Sequence, residues 1–274
     1  MSSEIPTAAK DKSIEMRLRR WVKHDRIDGE MIYLPFAQQI LKALSERELV
    51  LVMDGSQAGR GYMVLMVGVV YKKRALPIAW LVYKGKKGHT TAKRHIEALQ
   101  KVKVLLPETT KVVLLGDAEY DTTKILLWVQ ENPHWNYVLR TAPQICVTTG
   151  HGEQVIGDMA LEKDQVLQYL NVGFTQKATL KTNLVGWWSD KYEKPIYLIS
   201  NLTSKYLTCR HYQRRYRIET FFSDQPVLDG QSREEPWLQH PQEPSIRPSP
   251  SKSFAGCCLS GLYLDDLTGF TSHG

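Results

Sequence analysis

The sequence has few cysteines, no long apolar run and no apolar segment at its N-terminus. Cys146, Cys209, Cys257 and Cys258 show no CxxC spacing, which argues against a structural zinc site and a disulfide framework. No stretch approaches the ~18 apolar residues that a membrane-spanning helix needs, and residues 1–10 lack the core of a signal peptide. We therefore expect a reduced, cytoplasmic protein.

The composition is that of a folded, basic protein. Hydrophobic residues make up 42% and charged residues 24% of the 274 residues, and the formal net charge is +7. The charge is uneven, because residues 1–225 hold 33 basic and 23 acidic residues, whereas residues 226–274 hold three basic and six acidic ones. The basic main body favours a polyanionic partner.

The hydrophobic pattern predicts an α/β fold with a mixed sheet. Apolar residues at helical spacing predict a helical N-terminal arm over residues 1–47. Three strands in succession, followed by alternating helices and strands, favour a mixed sheet covered by helices. The predicted strands cover residues 48–53, 62–71, 76–83, 111–115 and 136–139, and the helices cover residues 90–106 and 121–130, the latter capped by Asp121.

The second half of the chain has a different pattern. Short alternating stretches predict a β-rich insertion at about residues 144–200, and Lys205 to Asp224 predict one long basic helix. After Gln225 periodicity is lost, and six of the 13 prolines fall within residues 226–274. This composition predicts a loop-like tail with little packed core.

Two acidic residues follow strands at equivalent places. Asp54 comes after the apolar run ELVLVM, and Asp117 comes two residues after KVVLL. In open α/β sheets, ligands gather beyond the carboxyl ends of the strands, and two carboxylates brought together there repel unless a cation neutralises them. Oxygen ligands without a Cys or His cluster favour Mg²⁺ or Mn²⁺. Either Asp alone is also an ordinary turn residue.

A third acidic residue lies in the basic helix. Tyr212, Arg215 and Glu219 are spaced i, i+3, i+7 and therefore share one helix face. One interpretation is a solvent-exposed face with salt bridges. The other is a carboxylate directed at a metal site and surrounded by arginines, an arrangement that suits phosphate chemistry.

Together these segments resemble a known family. The sequences MDGS around Asp54, GDAEYD around Asp117, and Y-x-x-R-x-x-x-E from Tyr212 to Glu219 resemble DDE transposases of bacterial insertion sequences. The most similar group is the insertion-sequence type four group, which carries the YREK signature. Asp54 and Asp117 are 63 residues apart, and Asp117 and Glu219 are 102 residues apart. The longer interval leaves room for the β-rich insertion that is typical of that group.

The resemblance implies a ribonuclease-H-like catalytic domain over residues 48–225. It implies cleavage and strand transfer at the ends of an insertion sequence, with two Mg²⁺ or Mn²⁺ ions held by Asp54, Asp117 and Glu219. It also implies a double-stranded DNA partner, a homodimer on DNA and a location at the bacterial nucleoid. It also implies phosphate contacts by Tyr212 and Arg215. In the insertion, Trp187 or Trp188 could stack on a displaced base, but burial of both in the core is the favoured interpretation.

The sequence also departs from the family. The signature has a Lys seven residues after the Glu, where this chain has Pro226. The departure coincides with the change in composition after Gln225, so one interpretation is that residues 226–274 are translated out of frame. We therefore expect a truncated or degenerate transposase with weak activity. The alternatives are a DNA-binding remnant without catalysis and a metal-dependent nuclease of the same fold.

Overall fold

The computed structural model describes residues 11–22, 24, 29–58, 61–175, 180–190 and 192–223. The predicted tail, residues 226–274, lies outside the described residues. The described part of the N-terminal arm contains the helices α1 (Asp11–Val22) and α2 (Gly29–Leu44). The second packs on the sheet, since Tyr33 Oη donates a hydrogen bond to Pro77 O (2.5 Å) and Leu41 is fully buried.

In the part of the chain that the structure describes, ten strands and four further α-helices follow the arm. The order begins with three strands, as the sequence predicts, and then alternates between helices and strands as far as β5. Five more strands follow, and then the last two helices. None of the described helices is long and apolar enough to cross a membrane. The strands are β1 (Leu49–Gln57), β2 (Tyr62–Tyr71), β3 (Arg74–Lys84), β4 (Val112–Gly116), β5 (Trp135–Thr141), β6 (Cys146–Thr149), β7 (Gly152–Val155), β8 (Gln165–Phe174), β9 (Lys181–Trp188) and β10 (Ile196–Ser200), and the helices are α3 (Ala92–Lys103), α4 (Thr123–Gln130), α5 (Lys205–Tyr212) and α6 (Arg217–Ser223).

All ten strands form one mixed sheet in the order β3-β2-β1-β4-β5-β10-β9-β8-β6-β7. The first three strands are an antiparallel meander, β4 and β5 run parallel to β1, and β10 is antiparallel to β5. The strands of residues 144–200 extend this same sheet beyond β5. The expected fold class, an α/β fold with a mixed sheet flanked by helices, is confirmed.

Both faces of the sheet are covered. Along β1, Leu49, Leu51 and Met53 belong to one core with residues of α2, α3 and α4, whereas Val50 and Val52 belong to a second core with residues of α5 and α6. Successive side chains of a strand point to opposite faces, so a strand buried on both sides is apolar at every position. This explains why residues 49–53 form an uninterrupted apolar run rather than an alternating one.

Candidate active site

Neighbouring parallel strands bring the first two acidic residues to one edge of the sheet. Val52 of β1 is paired with Leu115 of β4, and Asp54 and Asp117 lie two residues beyond this pair on their respective chains. The two aspartates are therefore at equivalent positions. Asp117 follows the end of β4 as predicted, but Asp54 lies inside β1, because β1 continues to Gln57 in its pairing with β2.

The carboxylate of Asp54 is in an electrostatically unfavourable place. Its Oδ1 accepts a hydrogen bond from Gly55 N (2.8 Å). Burial, and then the charges of Asp117 and Glu219, raise the pKa of Asp54 to about 6, although Arg215 and the Gly55 hydrogen bond act in the opposite direction. A buried carboxylate that is repelled by two others is a site that a cation would stabilise.

The GDAEYD motif forms a compact turn around Asp117. Asp117 Oδ1 accepts a hydrogen bond from Glu119 N (3.0 Å), and Asp117 O accepts one from Tyr120 N (3.1 Å). The ring of Tyr120 folds back onto Gly116, where a Cβ atom would lie only 2.8 Å from Tyr120 Cδ2. The glycine is therefore a consequence of the turn, since no larger residue fits beside the tyrosine.

The predicted role of Asp121 as a helix cap is wrong. Helix α4 begins after Thr122, and the Asp121 carboxylate accepts a hydrogen bond from Thr141 Oγ1 on β5 (2.7 Å) instead. This contact ties the end of the motif to the sheet. It competes with capping because the Thr141 hydroxyl is buried and needs an acceptor.

The expectation of one long helix over residues 205–224 is also wrong. Helices α5 and α6 are separated by a turn at residues 213–216, in which Arg214 and Arg215 donate backbone hydrogen bonds to the carbonyl three residues earlier. Such bonds tighten the backbone relative to an α-helix. Burial lowers the pKa of Arg214, and the charges of Arg210 and Arg217 lower it further. Like charges one turn apart destabilise an α-helix, which favours the break.

The residues flanking this turn face the two aspartates. Arg215 forms an ion pair with Glu219 and lies over the ring of Tyr212, 5.8 Å from its centroid. Burial alone would lower the pKa of Arg215, but Tyr212, Glu219, Asp54 and Asp117 raise it above its ordinary value. Arg215 is thus the cation shared by the three acidic residues of the candidate site.

The three carboxylates interact electrostatically but do not surround one ion. Among the described residues, no three His, Cys, Asp or Glu side chains are close enough together to hold a metal. Tyr212 is 7% exposed and belongs to the core between the sheet and α5, so its accessible surface is small. Trp187 is likewise buried at 6% exposure, and Trp188 Nε1 donates to Tyr192 O (3.0 Å).

A buried polar cluster beneath the aspartates was not expected from the sequence. His95 of α3 and Tyr120 are fully buried, and their rings meet edge to face at 4.8 Å. Within the described part of the chain, neither the Tyr120 hydroxyl nor either His95 nitrogen has a hydrogen-bond partner. Burial lowers the pKa of His95 to about 4, although Asp117 raises it. Tyr120 belongs to a motif that could have drawn attention to it, whereas His95 has no local signal.

Comparisons with known proteins identify the family. Residues 27–224 match the model of the transposase DDE domain. Among solved structures, the chain is similar to piggyBac transposase in a synaptic complex with hairpin DNA (14% identity, TM-score 0.46, covering 78% of this chain and 47% of that one). It is also similar to Endonuclease V from Ciona intestinalis in complex with DNA (15% identity, TM-score 0.35, covering 72% and 96%).

A third similar structure is the Argonaute of Marinitoga piezophila with guide RNA and target DNA (14% identity, TM-score 0.28, covering 61% of this chain and 25% of that one). The chain spans about half the length of the piggyBac transposase chain that it matches. No curated protein matches it significantly.

The family match covers more than half of the chain and contains Asp54, Asp117 and Glu219. The chain therefore belongs to the family of transposase DDE domains.

Proposed function

We propose that this protein is a DNA transposase that cleaves and joins the ends of a bacterial insertion sequence of the type four group. The observation that carries the proposal is the equivalent placement of Asp54 and Asp117 on adjacent parallel strands, with Glu219 facing them from α6. Asp54, Asp117 and Glu219 are the catalytic residues of this proposal. Two Mg²⁺ or Mn²⁺ ions are the cofactors, and double-stranded DNA bound by a homodimer at the nucleoid is the substrate.

The chemistry of the three carboxylates fits divalent cations. They offer hard oxygen ligands, and the pKa of Asp54 is raised by burial and by the charges of Asp117 and Glu219, both of which added positive charge would offset. Bound metal ions would supply charge stabilisation for the attacking and leaving oxygens of phosphoryl transfer. Asp54, Asp117 and Glu219 would hold them, and Glu219 would first separate from Arg215.

Arg215 then becomes available for the substrate. Once it has separated from Glu219, its planar guanidinium can bind a DNA phosphate near the scissile bond with two parallel hydrogen bonds. Tyr212, packed beneath Arg215, limits the directions that the guanidinium can take. We therefore assign phosphate binding to Arg215 and Tyr212 together, with Tyr212 acting mainly through the position of Arg215.

The proposal is tested with the purified full-length protein and a plasmid carrying the terminal repeats that flank its gene. We expect cleavage at the repeat ends that requires Mg²⁺ or Mn²⁺ and is lost in Asp54→Asn. Cleavage without regard to the repeats would favour the nuclease alternative. DNA binding without cleavage under any metal condition would favour the DNA-binding remnant. The ion pair between Arg215 and Glu219 is also compatible with that alternative, because it occupies one of the three candidate carboxylates.

A further inference from the structure

Between the first and second candidate carboxylates lies a long segment without acidic residues. Residues 55–96 contain nine Lys and Arg residues and no Asp or Glu. Most of these basic residues fall in two groups, one in the turn between β2 and β3 and one just after β3. We call residues 72–74 the far turn and residues 84–94 the near segment.

The strand registers place the two groups at opposite edges of the sheet. Asp54 is level with Met66 on β2, which is level with Trp80 on β3. Lys84 lies four residues beyond Trp80, towards the active-site edge. It is therefore displaced from Asp54 by roughly 13 Å along the strand direction and by the width of two strands, a total distance of roughly 16 Å. The far turn lies roughly 33 Å from Lys84, at the other end of β3.

The near segment is held in a defined conformation. Gly85 N donates a hydrogen bond to Gly61 O (3.0 Å), which joins the segment to the residue immediately before β2. The hydroxyls of Tyr83 and Thr90 are hydrogen-bonded (2.6 Å), and the Arg94 guanidinium stacks 3.9 Å from the centre of the Tyr83 ring. The lysines therefore project from a fixed support, which limits the entropy lost on binding a ligand.

The charge of the near segment is locally unfavourable. Lys93 and Arg94 lie in the first turn of α3, where the helix dipole disfavours positive charge, and that turn contains no acidic residue. Lys84, Lys86 and Lys93 are exposed. Within the described residues, Lys86 and Lys93 form no ion pair. A sequence that breaks a local rule without an internal compensation commonly does so at a functional site.

We propose that the near segment binds the phosphodiester backbone of double-stranded DNA beside the active site. The proposal rests on the proposed function and adds to it a surface outside the carboxylate site. A distance of roughly 16 Å corresponds to about five base pairs of B-form DNA. Lys84, Lys86 and Lys93 therefore contact phosphates about five base pairs from the scissile bond, through charge and without reading sequence.

The chain offers a matched control for this surface. Lys84→Gln/Lys86→Gln in the near segment and Lys72→Gln/Lys73→Gln in the far turn each remove two exposed positive charges. Each pair also removes one lysine that lies over a tyrosine ring, Lys84 over Tyr62 (5.9 Å) and Lys72 over Tyr71 (5.3 Å). The two variants thus differ chiefly in which edge of the sheet loses its charge.

The experiment measures binding of the full-length protein to a fluorescent 40-base-pair duplex, without divalent metal, over a range of salt concentrations. We expect the slope of log affinity against log salt to fall by about two in the near variant and to stay within about 0.5 of wild type in the far variant. Hydroxyl-radical footprinting should lose protection about five base pairs from the cleavage site in the near variant alone.

Two results would overturn the proposal. Equal changes in the two variants would show that net charge alone governs binding, and an unchanged near variant would show that DNA does not contact this segment. If the wild-type protein itself fails to bind DNA in a salt-dependent manner, the proposed function fails as well. If the wild-type protein binds and cleaves DNA and the near variant binds as well as wild type, the proposed function stands and only the role of the near segment is refuted.

Discussion

Two buried tyrosines near the candidate site differ in whether their hydroxyl groups are hydrogen-bonded. Tyr120, in the turn after β4, and Tyr137, on β5, are both fully buried. The hydroxyl of Tyr137 donates to Thr182 Oγ1 (2.8 Å) and accepts from Gln130 Nε2 (3.3 Å). The hydroxyl of Tyr120 has no hydrogen-bond partner among the described residues.

The surroundings of Tyr137 form a complete network. Thr182 Oγ1 donates to Ser200 O (3.1 Å), Ser200 Oγ donates to Tyr137 O (2.7 Å), and Asn201 Oδ1 accepts from Tyr137 N (2.9 Å). These bonds connect β5, β9 and β10, the strands that carry the sheet beyond the active site. Buried polar groups that are all satisfied stabilise one arrangement of a core.

The surroundings of Tyr120 are organised in the opposite way. Beneath Asp54 and Asp117 lie a tyrosine hydroxyl and two histidine nitrogens that have no hydrogen-bond partner among the described residues. Each such group costs stability, of order 1–3 kcal/mol. The comparison teaches that the outer strands are built for stability, whereas the region under the carboxylates gives up stability to hold chemical groups in place.

The largest effect is expected for Asp54→Asn. Cleavage should fall to the level seen without metal, because the proposed metal site loses one of its three carboxylates. The free energy of unfolding at pH 8 should rise by about 1–3 kcal/mol, since the folded protein then no longer buries a repelled charge whose pKa is raised from 3.8 to about 6.

The pH dependence of the free energy of unfolding tests the cause of this gain in stability. An acid with a raised pKa destabilises the fold above that pKa and has no effect below its ordinary value, so the gain should vanish below about pH 3.8. Thermal unfolding at pH 8 and pH 4 measures it, with Asp190→Asn at an exposed position as the control. A loss of stability at pH 8 would contradict the picture of a strained carboxylate.

The next effect concerns the two glycines beside the aspartates. Gly116→Ala should lower the free energy of unfolding by about 1–3 kcal/mol and reduce cleavage, because the new methyl group meets the Tyr120 ring at 2.8 Å and displaces the Asp117 turn. Gly55→Ala is the matched control, since its Cβ atom has its closest contacts at 3.7 Å. Chemical denaturation and cleavage assays on both variants measure the difference, and equal behaviour would refute the steric argument.

Removing each tyrosine hydroxyl tests the comparison directly. Tyr137→Phe should lower the free energy of unfolding by about 1–2 kcal/mol, because Thr182 loses a donor and Gln130 an acceptor. Tyr120→Phe removes a hydroxyl without a described partner and should raise the free energy of unfolding, by up to about 1–3 kcal/mol. Urea denaturation of the two variants side by side gives the result. Equal losses would mean that the Tyr120 hydroxyl is hydrogen-bonded in solution.

The smallest effect near neutral pH is expected from the buried histidines. Burial lowers the pKa values of His95 and His211 to about 4, so the unfolded chain binds protons that the folded protein does not. Stability should therefore fall as the pH drops from 6.5 towards 4, by under about 1 kcal/mol per histidine at pH 6. His95→Gln should reduce the slope of stability against pH below pH 6, and an unchanged slope would show that His95 is protonated in the fold.

Much of the fold follows from local sequence patterns, whereas its departures arise from contacts between distant segments. The apolar run of Tyr62–Tyr71 predicts β2 to the residue. Asp54 is found inside β1 rather than after it because β2 supplies a partner as far as Gln57. The break between α5 and α6 has no periodicity signal, since the i, i+3, i+7 pattern continues across it and only the crowding of the arginines opposes a continuous helix.

The candidate site was predictable to a similar extent. Asp54, Asp117 and Glu219 could be selected because each lies in a short motif on a suitable element. The ion pair of Arg215 with Glu219 could not be predicted, because it depends on the turn between α5 and α6, of which the helical periodicity gives no sign. The position of His95 could not be predicted either, since a lone histidine on a helix carries no indication that it will lie under the candidate site.

The packing of α6 has a consequence for synthesis of the chain on the ribosome. This helix contacts β1, β2 and β3, and Ile218 closes the core that contains Val50, Val52 and Ala75. The β1–β3 meander leaves the ribosome about 130 residues before α6, so at ~5–20 residues per second one apolar face stays uncovered for roughly 7–27 s. During that interval the nascent meander is a natural target for chaperones, and ribosomes stalled before residue 217 should carry a chain prone to aggregation.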